Sequence, residues 1–119
     1  GEFKKAGIRT SVFMEAEQTQ INEVSLIEVD RIELYTESYA SGYISNKELA
    51  IKPFVQAAKM ATEIGVGINA GHDLSLENLK YFSDNIPNLL EVSIGHALIS
   101  DSLYFGLEKT VELYLKELK

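Results

Sequence analysis

Asp30-Arg31-Ile32-Glu33-Leu34-Tyr35-Thr36 is the stretch on which the fold turns. Side chains of a strand alternate between its two faces, so Ile32 and Leu34 point one way and Arg31, Glu33 and Tyr35 the other. Three further segments read as strands on either side of it. They are Ile8–Met14, rich in β-branched and aromatic residues after Gly7, then Val66–Ala70, and Leu90–Ile94 beyond the chain-breaking Pro87. Helical patterns fall between them. A rough apolar stripe, Ile21, Val24, Leu26, Ile27 and Val29, predicts a helix over about 17–29. Ser45 with Glu48 forms a capping-box pattern ahead of Leu49, Phe54, Val55, Ala58, Met60 and Ala61, after an expected loop over 37–44 that contains Gly42. Gly65 is placed to end that helix. A shorter helix is expected over 76–84, and Gly95 opens the segment leading to a final helix that ends near Leu118.

Strands that alternate with helices favour a parallel sheet with right-handed crossovers and helices packed outside it. Four such units make half of a barrel or a small open sheet. With 119 residues the chain is one domain at most, and a composition 45% hydrophobic and 24% charged is that of an ordinary soluble globular domain. The formal charge of −7 carries no basic cluster, so nucleic acid and anionic membrane are poor partners. No apolar run approaches the roughly 18 residues of a membrane helix. There is no cysteine, hence no disulfide framework and no thiolate ligand or nucleophile, in keeping with a reducing compartment. Residues 1–5 read as the end of a helix or as a cloning remnant.

Strands covered on both faces usually read as nearly continuous Val, Ile and Leu. Here Glu33, Asn69, Glu91 and Ser93 oppose the apolar set, and if that set faces the helices they all face a barrel interior. An unpaired charge there is costly, so these groups are paired, hydrated or used. Two readings stand level: Arg31 forms an ion pair with one of the glutamates and fixes the sheet, or a glutamate is catalytic. Glu33 lies toward the C-terminal end of its strand, where barrel active sites form.

Asn69-Ala70-Gly71-His72 and Ser93-Ile94-Gly95-His96 share one design, a strand followed by glycine and then histidine. Glycine permits a tight turn or a close approach, and histidine suits proton transfer near neutral pH. A single histidine in such a place is more often a packing or capping residue; two at equivalent places point to a site. Gly95, His96 and Ala97 also stand where the last barrel strand leads into a helix N-terminus that favours an anion. A metal site built from the two histidines with Glu33 or Asp73 is the poorer reading, since no His-x-x-x-His spacing supports it.

Taken together, Gly7–Phe13, Asp30–Thr36, Ile68-Asn69-Ala70-Gly71-His72 and Ile94-Gly95-His96-Ala97-Leu98-Ile99 resemble, in order and spacing, the last four strands of the pyridoxine 5′-phosphate synthase family. The resemblance covers nearly the whole chain, and the pairing of Asp-Arg-Ile-Glu-Leu with Asn-Ala-Gly-His makes it specific. It implies the C-terminal half of a (β/α)8 TIM barrel, residues 1–119 being a single partial domain. The implied reaction joins 1-deoxy-D-xylulose 5-phosphate to 3-amino-2-oxopropyl phosphate with loss of phosphate and water. It further implies no redox cofactor, a cytoplasmic location, a homo-oligomer, and a partner in the N-terminal half of the same barrel. Position by position, His72 corresponds to the family's proton donor and Glu33 to a glutamate that stabilises transition-state charge. Asp73, Gly95 and His96 correspond to contacts of the amino-ketone phosphate.

Two positions depart from the family pattern, which usually has glycine where Asp73 and Glu37 stand. A contact between residue 73 and phosphate would have to run through its backbone N–H, because the carboxylate repels the ligand. The family's first four βα units, with a histidine base and a second glutamate base, have no counterpart among these residues. The competing expectation is a free-standing, non-catalytic α/β module that captures a phosphorylated metabolite at Gly95 and His96. A scaffolding domain ranks below both, since it leaves the inward polar set without a purpose.

Overall fold

The four strands form one parallel sheet in sequence order. The computed structural model describes residues 1–119: α1 (Glu2–Lys5), β1 (Ser11–Met14), α2 (Gln18–Val24), β2 (Arg31–Tyr35), α3 (Glu37–Glu63), β3 (Gly67–Gly71), α4 (Leu79–Asn85), β4 (Leu89–Ser93), α5 (His96–Phe105) and α6 (Leu107–Glu117). Sequential order with right-handed crossovers sends every helix to the same side of the sheet, which is the arrangement of half a (β/α)8 barrel. All three strand pairs are parallel, with Phe13 beside Glu33, Glu33 beside Asn69 and Asn69 beside Glu91. An irregularity between Ile68 and Asn69 shifts the β3–β4 register, so that Ile68 pairs with Leu89 and Asn69 with Glu91.

The core lies wholly between sheet and helices. Ile32, Leu34, Ile68 and Ala70 meet Ile21, Val24, Phe54, Ala58, Ala61, Leu79 and Phe82, all buried. At its centre Tyr39, Phe54 and Phe82 pack edge to face or tilted, with ring centroids 4.9 to 6.0 Å apart, and the Tyr39 hydroxyl donates to the Asn78 carbonyl at 2.7 Å. Burying a side chain such as Phe54 contributes about 1.5–3 kcal/mol.

The opposite face has no layer on it. The molecule is 21 Å thick in its shortest direction, which is one sheet and one row of helices. Its radius of gyration, 15.0 Å, exceeds the roughly 13.5 Å of a compact domain this long. Its accessible surface, 7469 Å², exceeds the roughly 6,450 Å² expected at this mass. Phe13 and Leu90 stand exposed, and the outer edges of β1 and β4 are unpaired. No helix is long and apolar enough to cross a membrane.

The elements depart from their predicted bounds in several places. β1 starts at Ser11, not Ile8, and α2 ends at Val24, leaving Leu26 and Ile27 exposed. The stretch expected as a loop over 37–44 is helical, because Tyr39 and Tyr43, one helical turn apart, stack at 5.6 Å and anchor it to the core. The helix kinks at Asn46 (φ −159°, ψ 91°), whose side-chain oxygen accepts the Leu49 N–H at 2.9 Å. The cap of the second limb is therefore Asn46, one residue beyond the Ser45 of the predicted box. The helix expected from Leu76 begins at Leu79, after a turn in which the Asn78 side chain accepts the Ser75 N–H. Finally, the last helical segment is two helices, divided at Gly106 in the left-handed region (φ 81°).

Candidate functional site

The uncovered face of the sheet carries two levels of polar side chains. Toward the N-terminal ends of the strands, Arg31 reaches Glu91 at 2.7 Å and donates to Asn69 at 3.1 Å, while Asn69 donates to Glu91 at 3.2 Å. Arg9, just before β1, donates to both oxygens of Glu91 at 3.1 and 3.3 Å. This network runs from one edge of the sheet to the other. The Arg31 hydrogen bond, with Arg9 behind it, holds the Glu91 carboxyl below the ordinary glutamate range against the opposing effect of desolvation. The ion-pair reading thus describes Arg31 and Glu91.

One level up, at the C-terminal ends of the strands, a cleft of about 420 Å³ is lined by Phe13, Glu33, His72, Asp73, Ser93, Ile94, Gly95 and His96. All five residues singled out in the sequence, Glu33, His72, Asp73, Gly95 and His96, line it together. Phe13, Ser93 and Ile94 complete it and were not singled out as site residues, although the period-two alternation had already turned Ser93 inward. Glu33 enters neither the ion pairs nor the side-chain hydrogen bonds that engage Glu91. Its carboxylate lies over Gly71, where a Cβ would come within 2.7 Å of Glu33 Oε1 and 3.0 Å of the Ser93 side chain. Glycine at 71 therefore serves a close approach to this carboxylate, more than a turn.

The chain leaves β3 through two non-glycine residues in the left-handed region, His72 (φ 88°) and Asp73 (φ 57°). Such a conformation costs a residue with a Cβ about 1 kcal/mol or more, and glycine little, which accounts physically for the glycine expected at 73. The buried Thr36 steadies the turn. Its N–H donates to the Gly71 carbonyl at 2.8 Å, and its hydroxyl faces the carbonyls of Gly71 and His72. The His72 ring meets the edge of Tyr35 at 4.6 Å, and Tyr35 in turn packs on Phe13 at 5.3 Å. Desolvation, with Glu37, Asp73 and Glu15 nearby, raises the Tyr35 phenol above its usual range.

Across the cleft, Gly95 leads directly into α5, with His96 its first residue and no side chain capping its amides. Free N–H groups and the helix dipole at this end suit an anion. The cleft thus joins a carboxylate without a protein partner, two imidazoles and an uncapped helix start, which is equipment for proton transfer beside an anionic group.

The sequence profile of the family described as pyridoxal phosphate biosynthesis protein PdxJ matches residues 1–119. The chain is 58% identical to the pyridoxine 5′-phosphate synthase of Cytophaga hutchinsonii over 117 residues, 98% of this chain and 49% of that protein. Identity to the enzyme of the same name from Christiangramia forsetii is 56% over 118 residues, 99% of this chain and 50% of the relative. For Bacteroides thetaiotaomicron it is 58% over 113 residues, 95% and 48%. The chain spans about half the length of the curated relatives it matches. With a half-barrel sheet and a profile match along all its residues, the chain belongs to the pyridoxal phosphate biosynthesis protein PdxJ family.

Proposed function

We propose that these residues form the C-terminal half of a pyridoxine 5′-phosphate synthase, one partial domain that works with an N-terminal half of the same barrel. The observation that carries the reading is the convergence of Glu33, His72, Asp73, Gly95 and His96 on one cleft at the C-terminal ends of the strands, the end at which barrel enzymes act. The reaction would condense 1-deoxy-D-xylulose 5-phosphate with 3-amino-2-oxopropyl phosphate. Imine formation, dehydration and ring closure are successive proton transfers that need several positioned acids and bases. His72 donates protons. Glu33, free of a protein counter-charge, stabilises the positive charge that develops on the nitrogen-bearing intermediate. The amides at Gly95 and His96, with the backbone N–H of Asp73, receive the amino-ketone phosphate.

The uncovered inner face and the two free sheet edges support a partner that closes the barrel. In this reading the enzyme is a cytoplasmic homo-oligomer, and the half alone is inert and self-associating. The test is complementation. Joined to the N-terminal half of the Cytophaga hutchinsonii enzyme, the chain should release phosphate and form pyridoxine 5′-phosphate from the two substrates, and His72→Asn should abolish turnover. Full activity of that variant would remove the proton-donor role, and a compact, inert monomer in sedimentation would remove the need for a closing half.

A further inference from the structure

Asp73 departs from the glycine of the resemblance, and its carboxylate meets the ring of His72. Asp73 Oδ2 lies 3.0 Å from His72 Nδ1. A hydrogen on the ring nitrogen that faces a carboxylate oxygen is favoured electrostatically over a lone pair there, so the contact selects the Nδ1–H form. The contact is between neighbours in sequence, both in the left-handed conformation. The rest of the surroundings limits the ring without choosing its tautomer. Tyr35 meets it through an aromatic contact, and Thr36 engages the His72 main-chain carbonyl.

We infer that Asp73 is a positioning residue, which fixes His72 in the Nδ1–H form and leaves Nε2 as the nitrogen that exchanges protons with the substrate. Free histidine favours the opposite, Nε2–H, tautomer, so the inference has a definite sign. It also removes the difficulty posed by a carboxylate near a phosphate. The negative charge is engaged by the imidazole, and the backbone N–H of residue 73 stays available to the anion. The proposal rests on the proton-donor reading of His72 for its consequence, not for its geometry.

The experiment is long-range 1H–15N correlation of the imidazoles in the 15N-labelled protein, above the pH at which the histidines titrate. His96→Gln assigns the two rings. His72 should report predominantly Nδ1–H, and Asp73→Gly should shift its tautomer ratio about fivefold toward Nε2–H, the upper size for losing one half-exposed ionic contact. Glycine suits φ 57°, so this variant keeps the fold. Predominant Nε2–H in the unaltered protein, or an unchanged ratio in Asp73→Gly, would overturn the inference. No turnover is needed for the readout. A mistaken catalytic role for His72 therefore leaves the tautomer result standing, and a mistaken tautomer leaves the loss of activity in His72→Asn standing.

Discussion

Glu33 and Glu91 lie on the same face of the same sheet, one level apart, and their surroundings could hardly differ more. Glu91 accepts from Arg9, Arg31 and Asn69 and ties β1, β2, β3 and β4 together across the concave face. Glu33 has none of these partners and opens onto the cleft with His72 and His96. The difference follows the direction of the strands. At the N-terminal end of a barrel sheet polar groups satisfy one another and hold its curvature; at the C-terminal end they are left for a ligand. A carboxylate kept partner-free beside such a network is a cost to stability that makes sense where charge develops during a reaction.

The sharpest way to break the comparison is to neutralise each glutamate in turn in the complemented enzyme. Glu33→Gln keeps the shape over Gly71 and removes the charge. Turnover should fall by about 10²–10³-fold while the melting temperature holds or rises, since a solitary carboxylate is lost. His72→Asn should abolish turnover, again with the fold intact. If Glu33→Gln lowered the melting temperature as much as the activity, Glu33 would belong to the structural level with Glu91.

Gly71→Ala tests the contact beneath Glu33. The new methyl would sit 2.7 Å from the carboxylate and 3.0–3.1 Å from Ser93, whose side chain and carbonyl belong to a strand and cannot swing away. Overpacking of this kind costs about 1–3 kcal/mol, and the displaced Glu33 should lower turnover as well. Thermal unfolding and steady-state rates of the one variant read both. An alanine accepted without loss in either would mean that the carboxylate does not rest on Gly71.

Much of this division was legible in the sequence. Period-two alternation in Arg31–Tyr35 put both the polar set and the apolar set on their observed faces, and the two Gly-His pairs marked both sides of the cleft. Alternation cannot tell which inward glutamate is paired, because that depends on Arg9, just before β1, and Arg31, on β2, reaching across the sheet to β4. A place toward the C-terminal end of its strand pointed to Glu33, and the resemblance gave it a role distinct from that of Glu91. The helical reading of 37–44 was missed for a related reason. Gly42 and its small polar neighbours have loop composition, but Tyr39 draws the segment into the core through Phe54 and Phe82, and Gly42 lets the two limbs of α3 approach, with its absent Cβ 3.0 Å from that of Ala50. The i, i+4 spacing of Tyr39 and Tyr43 was the available signal.

The gentlest probe of the comparison is acid. Glu91 titrates in the folded chain below the ordinary glutamate value of about 4.5, chiefly through its hydrogen bond from Arg31. A folded value below the unfolded one means that the stabilisation is fully present above the unfolded value and is lost as pH falls through the folded one. The melting temperature should therefore drop on acidification below about pH 4.5, and Glu91→Gln should flatten that limb while lowering stability near neutrality, where Arg31 and Arg9 lose their counter-charge. Glu91 is half exposed and Arg9 more so, which lets solvent and salt screen the pair and keeps the effect small. Added salt should diminish it further. Glu33→Gln, measured over the same pH range, is the control, since neither arginine contacts that carboxylate. Matching pH profiles for the two variants would show that both glutamates draw on the same arginines, and the two levels of the face would have to be read as one.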